Sequence, residues 1–176
     1  MVESLAERLA VRIKKANPSQ TASVPVMKFA LIIVINFLIP AVSSLIFGAL
    51  TGKWTETLTA MGFFIALRMA SGGYHFETPL PCMLASFSII AIPPHIALTE
   101  TWTQLLTAAA LILTAWLAPA NMKGYNTMPE KYYPLLKLAS VLIVSANFLL
   151  LSGTAAIVLA VQGITLLIHN KEVTPT

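Results

Sequence analysis

The chain has 176 residues, 57% of them hydrophobic and only 10% charged, against roughly 25% charged in a soluble domain. With a mean hydropathy of +0.79, composition makes it an integral membrane protein, of a length that suits one compact bundle. All its acids are glutamates, which excludes the usual aspartate-clustered two-metal phosphotransfer. The net charge of +4 is dispersed and is no nucleic-acid footprint, and one cysteine allows no intrachain disulfide.

In chain order, Met1–Asn17 is polar and mixed in charge, without the apolar core of a cleavable leader. Val2, Leu5, Leu9 and Ile13 recur at helical spacing beside Arg8, Arg12, Lys14 and Lys15. The pattern predicts an amphipathic helix on an anionic membrane surface, and a solvated leader helix explains it equally. Six apolar segments follow. Phe29–Leu50 is long enough to cross a bilayer, with a kink expected at Pro40. Thr57–Met69 is shorter and is preceded by Lys53 and Trp54 as interfacial anchors. Pro79–Leu98 is broken near its far end by Pro93-Pro94, and Trp102–Ala118 is the fourth. Leu138–Ile168 is uncharged throughout; as one straight helix it would reach roughly 46 Å, beyond a ~30 Å hydrocarbon core. A turn at Ser152-Gly153-Thr154 divides it into two short helices, whereas a single tilted helix would leave five spans. Trp54, Trp102, Trp116, Tyr125, Tyr132 and Tyr133 read as interfacial belt residues.

Positive charge sets the orientation. With the N-terminus in the cytoplasm, the inner segments carry Arg8, Arg12, Lys14, Lys15, Lys28, Arg68, Lys123, Lys131, Lys137 and Lys171, and the outer segments only Lys53. The expectation is therefore an all-α, polytopic bundle of six transmembrane helices plus an N-terminal amphipathic helix, both termini cytoplasmic. It forms a single domain over residues 1–176, with 1–27 as the amphipathic segment and 28–170 as the transmembrane bundle. The segment Arg68–Cys82 then falls on the cytoplasmic side.

That segment holds the only cysteine, one of three histidines and the one arginine beyond the N-terminal segment. Thr78 is a good helix N-cap, and Pro79 and Pro81 suit a first turn whose amides have no intrahelical partner. Cys82 thus enters a first turn, where the helix's positive end favours thiolate over thiol. His75 stands seven residues earlier, on a loop that Gly72 and Gly73 make pliable. Folded back, that loop would bring imidazole to sulfur as a general base. Arg68 could then hold a substrate carboxylate, and Glu77 is the nearest acid to orient the imidazole. Each residue also has a plainer explanation: cysteine as packing, histidine as an interfacial polar tip, arginine as a snorkelling positive-inside residue, the glycine pair as a tight turn. The residues alone leave both readings open. His75, His95 and His169 lack metal-ligand spacing, and His95, after Pro93-Pro94, reads as structural; neither a metal nor a cofactor is expected.

Arg68, then Gly72-Gly73-Tyr74-His75, then Cys82 resembles the accessory gene regulator B family, the membrane cysteine endopeptidases of Gram-positive quorum sensing. The resemblance extends to the basic N-terminus, the six-span length and the inner loop Ala118-Pro119-Ala120-Asn121-Met122-Lys123. Here Lys123 and Lys131 stand apart rather than in a basic run. The resemblance implies Cys82 as nucleophile, His75 as its base, and Arg68 and Gly73 at positions needed for activity. It implies an AgrD-like amphipathic precursor peptide as partner in the lipid bilayer, cut near its acidic tail, with Lys123 and Lys131 on the loop that meets it. Ring closure to a thiolactone or lactone would follow, in the cell membrane of a Gram-positive bacterium; a homodimer is also implied, though the spacing does not decide it. A peptide exporter without proteolytic activity is the alternative. It would need polar pathway residues, for which only Asn36, Asn147 and Gln162 are candidates.

Overall fold

The computed structural model describes residues 2–74, 76, 78–122 and 129–168. The described residues form seven α-helices: α1 (Val2–Ala16), α2 (Val24–Leu50), α3 (Trp54–Ser71), α4 (Pro79–Ala91), α5 (Glu100–Leu117), α6 (Tyr133–Leu150) and α7 (Gly153–Thr165). Short 3-10 turns cover Pro93–His95 and Glu130–Tyr132. No strand occurs among the described residues, so the fold is all-α.

Each of the six apolar segments becomes a helix. α2 starts at Val24, ahead of its apolar run, because Pro25 fits a first turn that needs no amide donor there. It continues through Pro40. The long run after Leu138 is two helices. Leu151 takes the left-handed conformation (φ 50°, ψ 34°) and Ser152 caps α7 by accepting a bond from the Ala155 amide. The break therefore falls at Leu151-Ser152, just ahead of the expected Ser152–Thr154 turn. Asn147 explains the placement. Its Nδ2 donates to the Ser152 carbonyl at 3.1 Å, and its Oδ1 accepts from the Ser152 amide at 3.2 Å. The same Nδ2 lies 2.9 Å from Thr107 Oγ1, fastening the turn to α5. An interhelical bond of this kind contributes about 0.6 kcal/mol in a membrane protein.

α7 lies at the centre. Leu159 packs with Leu67 of α3, Ala110 of α5 and Val144 of α6, while Val158 packs with Ala60 and Ile90. The interior also holds hydroxyls and amides: Ser44, Thr57, Thr107, Thr114, Ser140, Asn147 and Gln162 are all buried. Outside, Phe29, Leu50, Met69, Trp116 and Leu149 are largely exposed. Small and hydroxylated residues inside with bulky apolar residues outside is the arrangement of helices packed in lipid, where association rests on close packing and hydrogen bonds. α2 and the stretch Glu130–Leu150 are long and apolar enough to cross a bilayer, and α4 with its 3-10 extension and α7 are shorter apolar helices. Trp54, Trp102 and Tyr132 are exposed, as belt residues should be; Tyr125 lies outside the described residues.

α1 is the expected N-terminal amphipathic helix, and it docks on α2 through its small residues. Ala6 and Ala10 are fully buried, because small side chains let the two backbones approach, whereas Leu5 and Ile13 stay exposed. Lys28 of α2 reaches Glu7 at 2.8 Å, and this hydrogen bond and charge hold the Glu7 carboxyl below the usual carboxylate range. At one end of the bundle, His95 stands edge-on to Phe47 with ring centroids 5.4 Å apart, and its Nε2 is 3.5 Å from Thr51 Oγ1. His95 thus joins the ends of α2 and α4, the structural role its position predicts. At the other end, the segments that leave α3, α5 and α7 converge, and there lies the Arg68–Cys82 segment.

Candidate active site

α3 stops where Gly72 turns to φ 71°, and Gly73 follows at φ 119°. Both values lie in the region that side chains disfavour, so two glycines are required here. The loop they form is fastened on three sides. The Gly73 amide donates to the Ala120 carbonyl at 3.0 Å, and the Ala120 amide returns a bond to the Ser71 carbonyl at 2.9 Å, which ties the exit of α3 to the exit of α5. The Tyr74 amide donates to the Thr165 carbonyl of α7 at 3.2 Å. Asn121 Nδ2 secures the same end through the Ile168 carbonyl at 2.7 Å. The glycines therefore serve conformation and close approach; the pliable hinge expected from the glycine pair is a clamped turn.

Arg68, in the last turn of α3, points its guanidinium into this turn. Nη1 donates to the Gly72 carbonyl at 3.1 Å and Nη2 donates to the Tyr74 carbonyl. A planar fork with five donors can hold two carbonyls and still present others. Gln162 of α7, fully buried, adds its Nε2 to the Gly72 carbonyl at 2.8 Å and lies 3.3 Å from Ser71 Oγ. Both lone pairs of that carbonyl are thus engaged by side chains from two helices.

Cys82 approaches from α4. Thr78 is the N-cap by backbone conformation and Pro79 opens the helix, as the sequence predicts. The Thr78 hydroxyl caps no amide. Pro81 removes one of the two amides such a cap can bond, since the third helical position is a proline nitrogen. Cys82 follows one residue later as a free, half-buried thiol. The Arg68 guanidinium lies within electrostatic reach of it. The structure thus gathers Arg68, Gly72, Gly73 and Cys82 at one end of the bundle. Tyr74 and Phe76 stack edge to face, centroids 5.1 Å apart. His75 and Glu77, which flank Phe76, and Lys123 lie outside the described residues. Lys131 is exposed in the turn before α6, its Nζ 5.0 Å above the Tyr132 ring.

Chemically, the site offers one nucleophile, one fixed guanidinium and a rigid turn leading to a histidine. Among the described residues no three His, Cys or Glu side chains converge as metal ligands would. Two contributors are not evident from local sequence. Ala120 acts through its backbone, which no side-chain pattern announces. Gln162 does leave a trace, an amide inside an apolar run, but its partner lies on another helix.

Residues 6–169 match the family model described as Accessory gene regulator B. An AgrB-like protein of Halalkalibacterium halodurans is 25% identical over 178 residues, spanning 99% of this chain and 88% of that protein. No solved structure matches the chain.

Proposed function

Because the chain belongs to the accessory gene regulator B family, we propose that it is a membrane cysteine endopeptidase that trims and cyclises a quorum-sensing precursor peptide. One observation carries the assignment to this site: the free thiol of Cys82 lies at the start of α4, within electrostatic reach of the Arg68 guanidinium that clamps the turn leading to His75.

The reaction has two balanced steps. His75 takes the proton of Cys82, and the sulfur attacks the carbonyl carbon of the scissile peptide bond. The C–N bond breaks, the tail's nitrogen leaves with the proton from His75, and the peptide's acyl group stays on sulfur as a thioester. A cysteine or serine within the peptide then attacks that thioester, transfers its proton to the Cys82 sulfur by way of His75, and closes a thiolactone or lactone. Thioester exchange with a thiol is close to balanced in energy, so the thiolactone step needs no ATP. Water must be kept from the thioester, and a site at the rim of an apolar bundle favours that. Glu77, the nearest acid in sequence, is assigned to orient His75. Lys123 and Lys131 supply positive charge toward an acidic tail.

Six membrane crossings with both termini in the cytoplasm accompany this reading. The exits of α3, α5 and α7 meet at one end, as an alternating bundle requires. That end carries Arg68, and the excess of Lys and Arg in the segments assigned inside supports a cytoplasmic location for it. Residues 1–176 then act as a single peptidase unit. The exporter reading loses ground because Asn147 and Gln162, two of its three polar candidates, are occupied in fastening backbone.

The precursor should be a short peptide with an amphipathic helix, an internal cysteine or serine and an acidic tail, encoded in a neighbouring reading frame. Purified chain in anionic liposomes is expected to release the tail of that peptide, and iodoacetamide pretreatment should abolish the release. No tail release from the untreated protein, or full release after alkylation, would sink the proposal.

A further inference from the structure

We infer that Gln162 is a positioning residue for the reaction proposed above, holding the Gly72 carbonyl of the turn that leads to His75 from the centre of the bundle; the inference rests on that reading. Gln162 is fully buried in a helix whose other inward residues are Thr154, at its start, and Ala155, Ala156, Val158, Leu159 and Gly163. A methionine would fill the same space. What the amide adds is a donor, directed at the Gly72 carbonyl at 2.8 Å. Its second neighbour, Ser71 Oγ at 3.3 Å, itself donates to the Leu67 carbonyl at 2.7 Å, so the bond continues into the last turn of α3.

The space around the turn is shaped to this amide. A Cβ on Gly73 would come 3.1 Å from Gln162 Nε2 and 2.7 Å from Thr165 Oγ1, and would also meet Arg68 Nη1. Gly73, Arg68 and Gln162 thus interlock, and the guanidinium and the amide share one carbonyl. Without the amide, Arg68 alone would hold that carbonyl, and both the turn and the guanidinium would gain freedom. The expected consequence falls on the rate of the chemical step, because small misplacements of reacting groups cost rate while distant binding contacts are kept.

The test compares Gln162→Met, Gln162→Asn and Cys82→Ala in the same anionic liposomes, with the peptide from the neighbouring reading frame as substrate. Asparagine keeps the amide but is one methylene too short to reach, and covers the case in which the methionine variant fails to insert. Both Gln162 variants should lower kcat about 30-fold, with KM within about twofold of the parent. An inserted Gln162 variant with parental kcat, or one changed in KM alone, overturns the inference, and an inactive Cys82→Ala beside it shows that the peptidase reading still stands. Cleavage that survives Cys82→Ala overturns the peptidase reading, and the inference with it.

Discussion

Replacing Cys82 with alanine is expected to abolish release of the precursor tail, a loss on the order of 10⁶-fold in kcat, as when other covalent enzymes lose their nucleophile. The chain should still insert and fold. Cys82 is half-buried and free, and exchanging sulfur for hydrogen at such a position costs about 1 kcal/mol or less. The Arg68 guanidinium stays fixed by the Gly72 and Tyr74 carbonyls whether or not the sulfur is present, so the surrounding turn should not collapse. Cys82→Ser separates nucleophile from packing: it keeps the shape, and its alcohol is a far weaker nucleophile at neutral pH. Tail release, measured by mass spectrometry of the products, should vanish in the alanine variant and stay near background in the serine variant. Cleavage at the parental rate in either variant would remove Cys82 from the chemistry.

Gly73→Ala should cost about 100-fold in cleavage, the second largest effect expected. Two causes act together. At φ 119° an L side chain is strained by about 1–3 kcal/mol. The added methyl would also press on Thr165 Oγ1, Gln162 Nε2 and Arg68 Nη1. The turn must shift, and the Gly73 amide would then leave the Ala120 carbonyl, which it meets at 3.0 Å. Gly62→Ala provides the control, since a methyl there meets nothing within 4 Å. It should cleave like the parent. Equal activity in both variants would show that the clamped turn has no part in catalysis.

Much of this fold can be read from the chain. Six apolar segments become six helices, and the opening of α4 follows from where prolines are tolerated. The departures have tertiary causes. The turn between α6 and α7 sits at Leu151-Ser152 because Asn147 bonds both the turn and Thr107 across the bundle. The amphipathic spacing of α1 is legible, but that Ala6 and Ala10 are the residues that meet α2 is not, because small size at a close approach leaves no periodic signal. At the site, Arg68 and Cys82 stand out as isolated chemistry in apolar surroundings, and the guanidinium lies within electrostatic reach of the thiol. The glycine pair is just as visible, but its function is not: composition suggests freedom, and only the bonds to Ala120, Thr165 and Gln162 reveal a clamp. Gln162 is visible as an oddity and unassignable without its partner, since residue 72 is remote in sequence.

In the proposed reaction the peptide's acyl group passes through the sulfur of Cys82. The most direct test of that step is intact-mass spectrometry of the chain after acid quench. The precursor used should have its internal cysteine or serine replaced by alanine, so that ring closure is blocked and the acyl-enzyme accumulates. The expected result is an adduct equal in mass to the precursor without its tail, located on Cys82, removed by hydroxylamine and absent from Cys82→Ala. Tail released in stoichiometric amount with no hydroxylamine-labile adduct on Cys82 at any time would contradict it.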